Sequence, residues 1–172
     1  MKLNMYLMCL ALIVLTSCSV GIPDGASAIR DFQSEKYLGK WFEIARFDFK
    51  FERDLDNVTA EYSKKENGHI KVVNRGFHTI DKVWKQSVGE ARFVNDPSEA
   101  RLKVSFFKPF WAGYNVIDMV DYKYALVAGK NLDYLWILSR EKTIPGEVKE
   151  RFLTHAQRIG YDTSRLIWVN HD

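Results

Sequence analysis

The sequence predicts an all-β protein, an eight-stranded antiparallel up-and-down β-barrel with one C-terminal α-helix packed on the outside. Eight short β-type runs follow one another at spacings of mostly about 10 to 15 residues, too short for crossover helices. Several runs alternate apolar and polar side chains, as Leu102, Val104 and Phe106 do, which gives each strand one apolar face. Eight such strands avoid exposed edges by closing into a barrel.

The expected strands are bounded by turn signals. Asn67-Gly68 is typical of a two-residue hairpin turn, and the polar stretch 95–98 is a second break. In chain order the runs are Trp41–Phe49, Val58–Lys65, His69–Phe77, Trp84–Val94, Arg101–Phe107, Tyr114–Met119, Tyr124–Ala128 and Tyr134–Arg140.

One helix is predicted near the C-terminus. It begins at about Pro145, which suits a first helical turn, and ends at Gly160. The apolar residues of this segment recur at helical spacing and form one face, namely Val148, Phe152, Ala156 and Ile159. We expect this face to pack on the barrel wall, followed by a short strand at Arg165–Val169.

The N-terminus has the pattern of a secretory signal: Lys2, then an apolar run from Met5 to Leu15, too short to span a bilayer. The run ends in Leu15-Thr16-Ser17-Cys18, which resembles the lipobox of bacterial lipoproteins. The resemblance implies cleavage before Cys18, its acylation and sorting to the outer membrane, because Ser19 stands where Asp would retain the protein. The alternative is an ordinary secretory signal.

These features divide the chain into a signal peptide at 1–17, an acylated Cys with a flexible tether at 18–34, and a barrel domain at 35–172. The two cysteines are Cys9, which leaves with the signal, and Cys18, which carries lipid. The folded domain is therefore expected to have no disulfide and to depend on its core alone.

Composition and motifs argue against several function classes. The net charge is +3 from 25 basic and 22 acidic residues without a basic block, so no nucleic-acid partner is expected. No Gly-x-Ser-x-Gly motif and no paired histidine spacing occur, so we expect no catalytic residues, no metal and no cofactor.

A family resemblance emerges from three motifs in order. They are Gly39-Lys40-Trp41 opening the first strand, Val120-Asp121-Tyr122 between strands six and seven, and Arg140 ending strand eight. The sequence resembles lipocalins, especially the bacterial lipocalins and apolipoprotein D, although Val120 stands where the family has Thr. The resemblance implies structural roles for the signature residues Gly39, Trp41, Asp121, Tyr122 and Arg140: Trp41 would plug the closed end, with Arg140 across its indole.

Strand alternation and the lipocalin pattern together assign side chains to the interior. The expected ligand-binding residues are Phe47, Ala60, Tyr62, Val72, Phe93, Val104, Phe106, Asn115, Ile117, Tyr134 and Trp136. Small inward residues such as Ala45, Gly89 and Ala91 favour a cavity over a solid core filled by the aromatic side chains. Glu43 also faces inward, where it either bonds at the base beside Trp41 or meets a ligand.

The mouth of the barrel is expected between four loops, one of which carries Phe107, Phe110 and Trp111. These aromatic residues suit membrane contact, gating of the mouth or packing against a second copy. The rim lysines and arginine suit a carboxylate or phosphate head group, and a solvated rim is the alternative; they are Lys50, Arg53, Lys82 and Lys108.

The sequence therefore predicts a non-enzymatic lipid carrier. Its ligand would be a fatty acid or lysophospholipid, stored or transported at the bacterial outer membrane on the periplasmic side, in envelope maintenance under stress. Its other partners would be the membrane, through the lipid anchor, and a second copy in a homodimer. The alternative is an envelope interaction lipoprotein that uses the barrel as a scaffold, with Phe110 and Trp111 as its contact.

Overall fold

The computed structural model describes residues 20–172. The expected signal peptide and Cys18 lie outside the described residues. In chain order the elements are α1 Ser34–Tyr37, β1 Gly39–Arg46, β2 Leu55–Lys64, β3 Ile70–His78, β4 Val83–Phe93, β5 Arg101–Ser105, β6 Ala112–Val120, β7 Tyr124–Ala128, β8 Leu135–Ser139, α2 Gly146–Ile159, a 3₁₀ turn Thr163–Arg165 and β9 Ile167–Trp168.

The strands form a closed antiparallel barrel, which confirms the predicted fold class. Each of β2 to β8 pairs with its neighbour in sequence, β8 pairs with β1, and β1 pairs with β2 to complete the circle. The short β9 adds to β1 from outside, at Ala45 and Arg46. Every barrel strand therefore pairs with two others, although residues 83–89 of β4 extend beyond its pairing with β5.

Helix α2 covers the outer wall on one side of the barrel, as predicted. Its buried residues Val148, Phe152 and Ala156 pack in one apolar cluster with Leu126 and Ile137 of the sheet. Gly160 ends the helix in the left-handed conformation, at φ 109°. The strands beneath the helix are therefore buried on both faces.

The segment before the barrel is not a flexible tether over residues 20–33, and this expectation is corrected. The Ile29 amide donates to the Val116 carbonyl at 2.9 Å, and the Ile29 carbonyl accepts from the Ala100 amide at 2.9 Å. Phe32 is buried at the closed end of the barrel. Backbone hydrogen bonds and a buried aromatic ring fix this segment along β6, so the folded domain begins before residue 35.

Replacing Gly113 with alanine is expected to detach the start of this segment. A Cβ at Gly113 would lie 2.6 Å from the carbonyl oxygen of Gly21, well inside van der Waals contact. We expect faster hydrogen exchange in residues 20–26 and a loss of about 1–3 kcal/mol of stability, as for other overpacked sites. The control is Gly146→Ala, where a Cβ meets nothing within 4 Å. Equal exchange in both variants would contradict the prediction.

Candidate functional site

The barrel interior encloses a cavity of about 780 Å³. Its wall is mainly apolar and aromatic, and it opens between the four loops 47–54, 79–82, 106–111 and 129–134. A volume of this size falls within the range of roughly 300–1,000 Å³ that small-molecule sites occupy. The barrel is therefore hollow rather than filled by its own side chains.

The opposite end of the barrel is closed by Trp41 and Arg140. The Trp41 side chain is completely buried, and its indole donates to the Tyr37 carbonyl at 2.8 Å. The Arg140 guanidinium lies 3.9 Å from the Trp41 ring centroid. It also donates to the carbonyls of Lys36, Tyr37, Leu38 and Lys40 at 2.7–3.1 Å. These contacts tie β8 to the chain that enters β1.

The other signature residues also lie at this closed end. Gly39 has φ 90°, a conformation that favours glycine, and a Cβ there would lie 3.5 Å from Arg140 Nη1. Asp121 and Tyr122 form the turn between β6 and β7, with φ of 52° and 55°. The Tyr122 carbonyl accepts from Arg140 Nε at 3.3 Å. All five signature residues thus contact or neighbour the seal of the barrel.

Most of the expected interior residues line the cavity. They are Ala60, Tyr62, Val72, Val104, Phe106, Tyr134 and Trp136. Phe93 does not line the cavity; its ring packs 6.2 Å from that of Phe32, which does. Gly89 does not leave open space as expected, because the Phe106 ring lies 2.7 Å from the position that a Cβ would take.

The predicted inward orientation of Ala45 and Phe47 is wrong because of a β-bulge in β1. The pairing of β1 with β8 shifts register between Glu43 and Ala45, so side-chain alternation breaks there. Ala45 and Phe47 consequently face the outer cluster under α2, where the Phe47 ring contacts Tyr161 at 5.8 Å.

Strand β6 contains an error of phase: residues 114–117 alternate regularly, but Tyr114 and Val116 point inward instead of Asn115 and Ile117. Its pairing with β7 shifts between Val116 and Asp118, and Ile117 joins the outer cluster under α2. Asn115 faces outward too, and its amide donates to the carbonyls of Gly21, Ala128 and Gly129 at 3.1–3.2 Å. Tyr114, which sequence reasoning missed, points into the cavity instead.

A buried polar cluster stands in the wall near the mouth. Arg46 donates to the Glu43 carboxylate at 2.9 Å and to the Glu52 carbonyl at 2.6 Å. The Glu52 carboxylate accepts from the Trp136 indole at 3.0 Å. The cluster therefore pins the loop 47–54 over the cavity. Sequence reasoning placed Glu43 but missed Arg46 and Glu52, since the bulge that turns Arg46 inward leaves no pattern in the sequence.

Burial sets the protonation of this cluster. Desolvation, reinforced by the neighbouring Glu52, raises the pKa of Glu43 well above its ordinary value, although Arg46 opposes the shift. Desolvation likewise raises the pKa of Glu52. Arg46 binds only the Glu43 carboxylate directly, and burial of both carboxyl groups favours their protonated forms.

Glu43→Gln is therefore expected to flatten the dependence of stability on pH. A carboxyl group with a raised pKa in the folded state holds its proton while the unfolded chain has lost it, so stability falls as pH rises through that window. The window begins at about 4.5, the ordinary glutamate value, and extends upward. Urea denaturation across this pH range measures the slope. A variant with an unchanged slope would contradict the assignment.

Three tyrosine hydroxyls form the polar floor of the cavity. The Tyr114 hydroxyl bonds to those of Tyr37 and Tyr62, at 2.5 and 2.9 Å. The sequence analysis did not identify Tyr37 or Tyr114 as cavity residues. Tyr114 could have been found from the alternation of β5, because Tyr114 is the cross-strand neighbour of the inward-facing Leu102.

The rim of the mouth exposes aromatic side chains. Phe51, Phe107 and Phe110 are each more than 60% exposed. The expected rim cations are partly engaged: Arg53 pairs with Asp48 at 2.6 Å, and Lys50 lies over the Phe51 ring at 4.7 Å. Within residues 20–172 no three His, Cys, Asp or Glu side chains gather as they would around a metal ion. Over the same residues no helix is long and apolar enough to cross a membrane.

Comparison with known proteins agrees with this geometry. A model of the lipocalin-like domain matches residues 32–171. The outer membrane lipoprotein Blc of Citrobacter freundii is 48% identical over 160 residues, covering 92% of this chain and 90% of the relative. Apolipoprotein D of Macaca fascicularis is 37% identical over 125 residues, covering 68% and 65%. Insecticyanin from the tobacco hornworm Manduca sexta superposes with a TM-score of 0.71 at 22% identity, covering 88% and 87%. The chain therefore belongs to the lipocalin family.

Proposed function

We propose that this lipocalin binds a single-chain lipid, a fatty acid or a lysophospholipid, inside its barrel. The observation that carries the proposal is the open cavity of about 780 Å³ with a mainly apolar wall. Such a wall takes up an alkyl chain, since each buried CH₂ contributes about 0.8 kcal/mol. The tyrosine hydroxyls and the carboxyl groups of Glu43 and Glu52 line the cavity and supply polar partners for a head group.

The site of action follows from the N-terminus. Acylated Cys18, exposed by cleavage after residue 17, would hold the protein on the outer membrane, facing the periplasm. The relatives named outer membrane lipoprotein support this anchor. There the protein would store or transport lipids, in envelope maintenance under stress. The cavity works by binding alone, without covalent chemistry. The homodimer stays a prediction, which sedimentation of the purified protein tests.

Filling the cavity is the test of lipid binding. Ala60→Trp places an indole in the lumen, while Glu61→Trp adds the same group to the outside of the same strand. We expect the affinity for a fluorescent fatty acid to fall at least about tenfold in the first variant, because the indole occupies the volume of the alkyl chain. The second variant is expected to bind as the unaltered protein does. Equal binding by both variants would place the lipid elsewhere.

The alternative function, an envelope interaction scaffold, rests on the exposed Phe110. The Phe110→Ser variant distinguishes this scaffold function from lipid binding. Loss of a protein partner with intact fatty-acid binding would favour the scaffold.

A further inference from the structure

The outer wall of β4 and β5 concentrates positive charge. The buried Glu90 carboxylate lies 2.6 Å from Lys65 Nζ, 2.8 Å from Arg92 Nη2 and 3.6 Å from Lys108 Nζ. Lysine and arginine partners lower the pKa of Glu90 to about 2, so its charge is constant at any physiological pH. With Lys103 the wall has four permanent cations and one carboxylate. We call these four cations, together with Trp111, the basic wall.

Aromatic side chains lie among these cations. The Trp111 ring is flanked by the Arg92 guanidinium at 4.9 Å and the Lys103 ammonium at 5.3 Å. Phe110, next in the chain, is 67% exposed, and the Lys108 side chain is 64% exposed. Indole rings and long cationic side chains are the groups that proteins place at the interface between lipid and water.

The N-terminal segment lies beside the basic wall at Gly21. The Gly21 carbonyl contacts Gly113 and accepts from the Asn115 amide at 3.1 Å. Gly113 is the cross-strand partner of Lys103. Two residues, Ser19 and Val20, separate Gly21 from Cys18 in the sequence, and the three steps of chain from one to the other span at most about 10 Å. An acyl anchor on Cys18 would therefore lie within about 10 Å of Gly21, on the side of the barrel that carries the basic wall.

We propose that the basic wall is the surface with which the anchored protein lies on the phosphate head groups of its own membrane, with Phe110 inserted among them. The inference rests on the acylation of Cys18 in the proposed function. The anchor brings the wall to the bilayer, the cations meet the phosphates, and Trp111 lies at the level of the head groups. Since Lys108 and Phe110 belong to the mouth loop 106–111, this orientation places one edge of the cavity mouth against the lipid.

The test uses the full-length, acylated protein in vesicles of phosphatidylcholine and phosphatidylglycerol. A fluorophore is attached at Phe110→Cys or, as the control on the opposite side, at the exposed Glu150→Cys of α2. Spin-labelled lipids are expected to quench the label at 110 and not the label at 150. Raising the salt from 0.1 to 1 M shortens the screening length from about 10 to 3 Å and is expected to reduce the quenching, while the anchor holds. Equal quenching at both sites would overturn the orientation.

Charge variants test the cations directly. Lys103→Gln with Lys108→Gln removes two lysines of the wall; Lys123→Gln with Lys142→Gln removes two exposed lysines elsewhere. The ratio of docked to undocked protein is expected to fall about fivefold per wall lysine, the effect of one cation near an anionic surface. The control pair is expected to change nothing. Identical behaviour of the two pairs would overturn the proposal. If the full-length protein did not remain with the vesicles, it would not be acylated, and both the anchor and this orientation would be refuted. Lipid binding in the cavity is tested separately, by the Ala60→Trp and Glu61→Trp variants.

Discussion

Trp41→Ala is expected to lower the free energy of unfolding by about 3–5 kcal/mol, the usual cost of truncating a large buried aromatic residue. The side chain is completely buried, so the substitution leaves a void at the closed end. It also removes the ring on which Arg140 lies and the indole bond to the Tyr37 carbonyl. The loss is expected near the top of that range because the seal has both apolar and polar parts. Chemical denaturation measures it.

The control for this prediction is Trp84→Ala. That indole is 51% exposed on the outer face and contacts only Arg75 and Phe77 among the aromatic and cationic partners in residues 20–172. We expect a loss of less than about 1 kcal/mol. If both substitutions had the same effect, Trp41 would not be the seal of the barrel.

Arg46→Met is expected to cost about 3–5 kcal/mol at neutral and higher pH, as for other buried ion pairs that lose one partner. Arg46 is 2% exposed, and its guanidinium donates to the Glu43 carboxylate and to the carbonyls of Glu52 and Leu55. Without it, the Glu43 carboxylate would be buried and unpaired. The loop 47–54 would also lose its attachment to β1, so its hydrogen exchange is expected to accelerate.

The sign of the pH effect separates this account from a simple packing defect. Lowering the pH protonates Glu43, whose pKa burial already raises, and relieves the unpaired charge. The cost of Arg46→Met should therefore shrink in acid. The double variant with Glu43→Gln should recover most of the loss at neutral pH, because neither charge is then buried alone. A cost independent of pH would show that Arg46 acts through its volume.

The barrel could be predicted from sequence because its strands repeat a simple pattern between clear turns. The order of strands and the C-terminal helix follow from such local signals, and the closed end around Trp41 was predicted from the resemblance to lipocalins. The outward orientation of Phe47 and Ile117 could not be predicted, for two physical reasons. Beneath α2 both faces of the sheet are buried, so apolar side chains no longer mark the inside. In β1 a β-bulge also shifts alternation by one residue without changing composition.

The polar groups of the site could not be placed from the sequence either. Arg46 and Glu52 are charged residues in a strand end and a loop, where sequence alone indicates a solvated side chain. Only the fold shows that they meet Glu43 and Trp136 inside the barrel. The N-terminal segment was misjudged for a related reason. Its small residues and Pro23 suggest a linker, yet its backbone hydrogen bonds to the barrel hold it in place.

The most direct test of the central claim, a lipid held in the barrel, is native mass spectrometry of the protein purified from its own membranes. We predict a bound species with the mass of one fatty acid or lysophospholipid, and the loss of that species in Ala60→Trp but not in Glu61→Trp. A barrel that arrives empty, and stays empty when either lipid is added, would contradict the claim.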